Sequence, residues 1–341
     1  MQENLSLNHF SAKKVTTFLG QPVPWEMTQF EEEFQRAESV GGVFDLSDWG
    51  VVSVSGDDAL DYLNRMSTVA VKKMQPGEVR HGAFLTGRGI VISLGMLHQI
   101  DAKKFHFIVS TGQSARASEH LEQFHFQEKL EVRNENADWA IFGGWGLERI
   151  LANHAKTLEP LCAFTGSWEG FEFTGWRDDI RPSLIWVKMN RHFAPSFLQA
   201  LGAHGIALLG RRLFEFYRIR AAVPEVGVEV GEKEILLETN FERAVARNKG
   251  CYPGQEVIER IFTYGSVNRK LLPIGIGTKD VFPEVPFELS CEGKSVGNVV
   301  SLAVSPQDKR VAVGLAYLHK SVWEYRGIFD SFPQLEVKQP G

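Results

Sequence analysis

Cys251 has the most chemically suggestive surroundings in the chain, within the run Lys249-Gly250-Cys251-Tyr252-Pro253-Gly254-Gln255-Glu256. Thr239 and Glu242 have capping-box spacing, so a helix is predicted over Asn240 to Asn248, with Gly250 placed to end it. Pro253-Gly254 predicts a turn, and Gln255 to Tyr264 a second helix stopped by Gly265. A thiol in such a linker, ahead of a helix N-terminus and near Arg247 and Lys249 in sequence, is favoured as thiolate. Settings of this kind lower a cysteine pKa from about 8.5 into the range of roughly 3.5–7.5. Glu256 opposes the effect. The alternative is a structural cysteine buried at a helix corner, since free cysteine is among the most buried residue types. Gly250 and Gly254 argue for a closely approached loop, because they remove bulk and permit positive φ.

Charge around this run comes in blocks. Arg211, Arg212, Arg218 and Arg220 share one predicted helix; Glu225, Glu229, Glu232, Glu234 and Glu238 follow; Arg243, Arg247, Lys249, Arg260, Arg269 and Lys270 surround the cysteine. A guanidinium fork suits carboxylate or phosphate, so an anionic small molecule is one reading and a solvated charged face the other.

Other chemistries fail on spacing. Cys162, Cys251 and Cys291 are too few and too far apart for a disulfide framework, and no Cys-x-x-Cys occurs. His120 and His125 are five residues apart, which does not put both on one helix face, so no metal site is predicted. Gly293-Lys294-Ser295 ends like a phosphate loop, but Glu288 stands where its first glycine is needed. Gly87-Arg88-Gly89 lacks the third glycine of a dinucleotide fingerprint, because Ile92 is there. Neither a Gly-x-Ser-x-Gly elbow nor a His-Glu-x-x-His pair is present.

The elements that must carry these residues are legible in outline. Residues 26–38, Ala59 to Met66 and 114–124 have helical spacing; Val51 to Ser55, Ile90 to Leu97 and Phe105 to Ser110 read as strands. The rhythm continues with Trp139 to Phe142 as strand, Leu147 to Ala155 as helix, Leu184 to Met189 as strand, Phe197 to Leu201 as helix and Ile206 to Leu209 as strand. Hairpin-paired strands crossed by helices predict two small α+β units, not a doubly wound parallel sheet. From Leu271 short strands broken by Gly and Pro predict a small β-barrel or sandwich, with a boundary near 265–272 and an irregular tail after Trp323. A length of 341 residues fits two or three domains, and 43% hydrophobic against 23% charged residues is ordinary globular composition. A net charge of −5 argues against polyanion binding, and no apolar run reaches membrane-spanning length. The start lacks a signal-peptide core, so a cytoplasmic protein with neither nucleic-acid nor membrane partners is expected.

The run 249–256 resembles the K-G-C-Y-x-G-Q-E signature of the YgfZ family, GcvT-like, folate-binding relatives of the glycine-cleavage T-protein. Arg218 with Val223-Pro224-Glu225, Leu237-Glu238-Thr239-Asn240, and Arg260 resemble further segments of that family. So do Gly42-Val43-Phe44-Asp45-Leu46-Ser47 and the stretch Gly56 to Asn64. The resemblance spans about 40 to 318.

It implies an α+β fold of three lobes round a central hole: two α+β, ferredoxin-like subdomains intertwined over 1–268, and a C-terminal small β-barrel with tail over 269–341. It also implies tetrahydrofolate or a derivative as cofactor, and a role in iron–sulfur cluster assembly or repair, with iron–sulfur proteins or assembly factors as partners. Cys251 would be the thiolate and Lys249 its electrostatic partner; Gly250, Tyr252, Gly254, Gln255 and Glu256 would shape the loop. Arg260, Arg218 and Tyr217 are the candidate folate contacts.

Two departures bear on activity. The T-protein's acidic pair has no counterpart in Gly89-Ile90-Val91-Ile92-Ser93, which favours an accessory factor over a turnover aminomethyltransferase. Arg220 stands where the T-protein has the pterin-contacting glutamate, and Ala70 where the family has an aspartate. Two rival readings stand beside it. One is a folate-dependent one-carbon transferase or demethylase with its acid moved, for instance to Asp57 or Asp179; the other is a non-catalytic folate or partner-binding scaffold.

Overall fold

Alternation of side chains along Gly50–Gly56 sets the first layer: Val52 and Val54 are fully buried on one face, with Ser53 between them on the other. In the computed structural model this strand lies fourth in a five-stranded sheet, ordered Val79–Leu85, Val91–Gln99, Lys104–Val109, Gly50–Gly56, Leu130–Asn134. The structure describes residues 5–149, 159–181, 183–278, 281–325, 329–330, 332 and 334–337. These fall into two units, one of 1–84, 92–214 and 244–252, the other of 85–91, 215–243 and 253–341.

In the first unit, helices Ala59–Met66 and Ser114–Gln123 lay Tyr62, Leu63, Ala117 and Leu121 on Val52, Val54, Phe105 and Phe107. A six-stranded sheet follows, ordered Phe164–Trp168, Phe171–Arg177, Ile185–Asn190, Trp139–Trp145, Gly42–Asp45, Ala207–Leu209; only its last pair is parallel. Helix Ala194–Ala203 covers one face, packing Phe197, Leu198 and Leu201 on Phe142, Val187 and Met189. The faces of the two sheets not covered by helices meet, bringing His98 against Trp176 and His106 against Trp139 and Lys188.

The second unit contains an antiparallel sheet ordered Phe287–Cys291, Lys294–Val304, Val311–His319, Arg269–Gly277, Leu335–Val337. Ile274, Val299, Ala316 and Leu318 form its core. The small barrel expected here is, over the described residues, this five-stranded sheet, bent by bulges at Leu289/Ser290 and Val299/Ser301. The mixed α+β class is as the sequence predicts.

The helix expected over Asn240 to Asn248 is absent. Two 3-10 turns, Leu236–Thr239 and Glu242–Ala244, flank Asn240 in the left-handed region at φ 58°. Within the first unit, the Ala246 N–H donates instead to the Thr68 carbonyl, and the Thr68 hydroxyl to the Ala244 carbonyl. Tertiary pairing outweighs a weak local preference. Of the helix expected from Leu147, the described part is a 3-10 turn, Leu147–Arg149, and the remainder lies outside the described residues. The hairpins Lys14–Phe18/Gln21–Glu26 and Phe164–Trp168/Phe171–Arg177 went unpredicted, because their strands are only partly buried and lack an apolar run.

Candidate functional site

Helix Ala59–Met66 ends with carbonyls that have no partner within the helix, as every α-helix does. Lys249 supplies one. Its Nζ donates to the carbonyl oxygens of Asn64 at 2.6 Å and Val69 at 2.7 Å, and to that of Ser67, so all three of its protons are used. Position favours this too, since a cation at a helix C-terminus faces the negative end of the macrodipole. Burial pushes the ammonium down to about 7, against which the three carbonyl acceptors hold its proton.

The run is pinned on both sides of the thiol. Lys73 Nζ donates to the Asn248 carbonyl at 2.8 Å, and the buried Tyr252 ring lies 5.0 Å from Lys249 Nζ. Cys251, between two inward-held side chains, is exposed, whereas Cys162 is half-buried and Cys291 buried. Beside the same helix a cavity of about 490 Å3 opens, lined by Asn64, Asp61, Lys72, Arg65 and Glu128 among others. Four of its charges are paired, Lys72 with Asp61 and Arg65 with Glu128, each at 2.6 Å, and Asp58 Oδ2 accepts from the Lys129 N–H at 2.7 Å.

In the second unit Gly254 has φ 82° and is the N-cap of helix Gln255–Tyr264. A Cβ there would stand 2.7 Å from the Thr86 carbonyl oxygen and 2.8 Å from Gly89 Cα, so only glycine fits. The turn it touches is tied to the 234–236 segment by Val91 N–H to the Glu234 carbonyl and Leu236 N–H to the Gly89 carbonyl. On the helix, Ile258 is buried, Gln255 half-buried, and Glu256 and Arg260 exposed; Arg260 has no ion pair among the described residues. Within Gly89-Ile90-Val91-Ile92-Ser93, which holds no carboxylate, Val91 and Ser93 are fully buried.

Arg218 differs from expectation. It is buried, and its guanidinium is spent on three carboxylates and a carbonyl: Nε to Glu215 at 2.8 Å, Nη1 to Glu229 at 2.9 Å and to the Val223 carbonyl at 2.7 Å, Nη2 to Glu229 at 2.9 Å. Glu225 lies 3.3 Å from Nε, and Ser301 donates to Glu229. Burial opposes the charge, but the three carboxylates hold the proton well above its usual range. No N–H is left for a ligand, so Arg218 holds its own unit together instead of reading a cofactor. Tyr217 beside it is half-buried against Phe216, and Arg220 is exposed.

Of the two carboxylates considered as relocated acids, Asp57 is ion-paired with Lys103, and Asp179 Oδ1 lies 2.7 Å from His81 Nε2, within hydrogen-bond distance. Sequence reasoning missed the acceptors of Lys249, for backbone carbonyls carry no residue signature. It also missed Lys188 and His106, which strand alternation alone does not mark as meeting.

Residues 9–179 match the model of the GCVT N-terminal domain. The chain belongs to this family. Aminomethyltransferases of Halalkalibacterium halodurans and Bacillus subtilis are each 24% identical to it, the first over 89% of this chain and 86% of its own length, the second over 93% and 90%. A putative chloroplastic transferase of Arabidopsis thaliana is 25% identical over 82% of this chain and 65% of its own. The glycine cleavage system aminomethyltransferase T of Bartonella henselae superposes with a TM-score of 0.83, covering 99% of this chain and 92% of that one at 16% identity. The fold is therefore that of an aminomethyltransferase. Among the described residues no group of three or more His, Cys, Asp or Glu is arranged to hold a metal, and no helix is long and apolar enough to cross a membrane.

Proposed function

We propose that this member of the GCVT family binds a reduced folate and serves one-carbon chemistry as a transferase-type protein whose working side chain is the Cys251 thiol. The carrying observation is that Cys251 is the exposed cysteine, on a loop pinned by Lys249 and Tyr252. The aminomethyltransferase relatives support the reaction class. The missing carboxylate at 90–93, with Asp57 ion-paired to Lys103 and Asp179 hydrogen-bonded to His81, supports a thiol in place of an acid.

The residues fit a folate in part. Arg260 is an exposed guanidinium suited to a glutamyl carboxylate. Arg220 cannot accept the N–H bonds that a carboxylate takes from a pterin, so the pterin is not held there as in the T-protein. No step is routed through that contact.

A second reading is an accessory role in iron–sulfur cluster assembly or repair. The resemblance of residues 249–256 to the YgfZ signature favours it, together with the exposed thiol and the absent acid.

Calorimetric titration with tetrahydrofolate tests the shared premise, and flat heats with folded protein reject it. Turnover of a methylamine-type donor with tetrahydrofolate, lost in Cys251→Ala, supports the transferase. Absence of turnover, with a cellular iron–sulfur enzyme losing activity in the Cys251→Ala strain, selects the accessory role.

A further inference from the structure

Lys188 lies mid-strand in Ile185–Asn190, on the face opposite Val187 and Met189, and is 1% exposed. Its Nζ is 2.5 Å from His106 Nδ1 and 4.6 Å from the centre of the Trp139 ring. Across the imidazole, His106 Nε2 faces Glu135 Oε2 at 3.5 Å. Glu135 is itself fixed by the Ser53 hydroxyl at 2.7 Å and the Trp139 indole N–H at 2.8 Å. Amine, imidazole and carboxylate therefore stand in series between the two sheets of the first unit.

An ammonium buried with no carboxylate against it is costly. Burial pushes Lys188 down to about 7; the nearby Lys104 charge acts in the same direction and Glu135 against it. Burial, then the Lys188 charge, also lowers His106 and His98, so both rings are neutral. The tautomer that turns Nε2–H toward Glu135 leaves the Nδ1 lone pair for an amine proton.

Lys188 forms part of the wall of a cavity of about 470 Å3, together with Trp139, Phe173, Thr174, Asn190 and Phe193. That volume suits a small molecule, and the lining mixes the aromatic rings of Trp139, Phe173 and Phe193 with the hydrogen-bonding side chains of Thr165, Thr174 and Asn190. The exposed Glu172 on the same cavity disfavours anions.

We propose that this cavity binds a small uncharged aldehyde or ketone and holds it as an imine on Lys188. The Nζ lone pair forms the C–N bond to the carbonyl carbon. Both amine protons go to the carbonyl oxygen, one by way of His106 Nδ1, and that oxygen leaves as water; no oxidant or reductant is consumed. Trp139 and the Glu135–His106 pair stabilise positive charge that develops on the nitrogen. The inference does not depend on the folate reading.

The test uses butanal with sodium cyanoborohydride on the whole folded chain, followed by peptide mass spectrometry. At pH 7 Lys188 is expected to be alkylated at least about tenfold faster than the exposed Lys233 and Lys294, because burial lowers it to about 7 and leaves a large share of the amine unprotonated. Its rate is expected to be half-maximal near pH 7, well below the ordinary lysine range. His106→Gln is expected to slow Lys188 alone. An unlabelled Lys188 in protein whose exposed lysines react overturns the proposal, as does a Lys188 rate profile that follows theirs. The wild-type pH profile decides the matter even where the variant does not fold.

Discussion

Lys249 Nζ lies 2.7 Å from the carbonyl oxygen of Val69, 180 residues earlier in the chain, and its two neighbouring acceptors are Asn64 and Ser67. A side chain of the cysteine motif thus caps a helix of the N-terminal half. Lys249→Met removes a donor from three carbonyls, of which Val69 keeps the Val71 N–H, and the expected cost is about 1–3 kcal/mol. Urea denaturation measures it, and limited proteolysis should show new cleavage near Cys251. A variant as stable and as protease-resistant as the parent contradicts the pinning.

The exposure ranking of the three cysteines predicts their reactivity. Iodoacetamide on native protein should modify Cys251 first, Cys162 more slowly and Cys291 only on unfolding. Cys251→Ser should change stability by no more than about 0.5 kcal/mol, because an exposed side chain has little packing to lose. A large stability loss would mean that the thiol is structural.

Gly254→Ala places a Cβ against the Thr86 carbonyl in a left-handed backbone. The expected loss is at least about 1–3 kcal/mol, with the clash adding to the strain. Its signature is a lowered melting temperature at unchanged net charge.

Arg218→Met leaves Glu215, Glu225 and Glu229 buried without their cation. Such one-sided removal costs about 3–5 kcal/mol, enough to deplete the soluble folded protein. Adding Glu229→Met should recover part of the loss by removing one stranded charge. An Arg218→Met protein as stable as the parent that instead fails to bind tetrahydrofolate would return this residue to the ligand.

Lys188 also links stability to pH. Its folded pKa of about 7 lies below the ordinary 10.5, so between these values the unfolded chain binds more protons than the folded one. Stability therefore rises with pH across that window. Lys249 is lowered to about 7 as well and contributes in the same direction. Lys188→Met should flatten the rise between pH 7 and 10 in chemical denaturation, without abolishing it.

Local spacing carried much of the fold. Apolar periodicity marked helices Ala59–Met66 and Ser114–Gln123 and strands such as Lys104–Val109, since each buries one stripe or face, and the Pro253-Gly254 turn and Gly265 marked helix Gln255–Tyr264. The glycines flanking Cys251 pointed to a tight loop, and Gly254 is held in a conformation that glycine alone adopts without strain. The same reasoning failed at Thr239–Glu242, where capping-box spacing is present but the backbone bonds elsewhere.

The sequence by itself determined the residue types: one cysteine between glycines, a lysine two positions before it, an arginine-rich helix, and strands that alternate. Only the tertiary structure decided what the charges do. Lys249 meets backbone carbonyls, Arg218 meets three glutamates, and Lys188 meets an imidazole between two sheets. The physical reason is that a charge gains its role from what replaces its water. In a chain of this length those replacements come from residues far away in sequence, brought close by strand order and not by spacing.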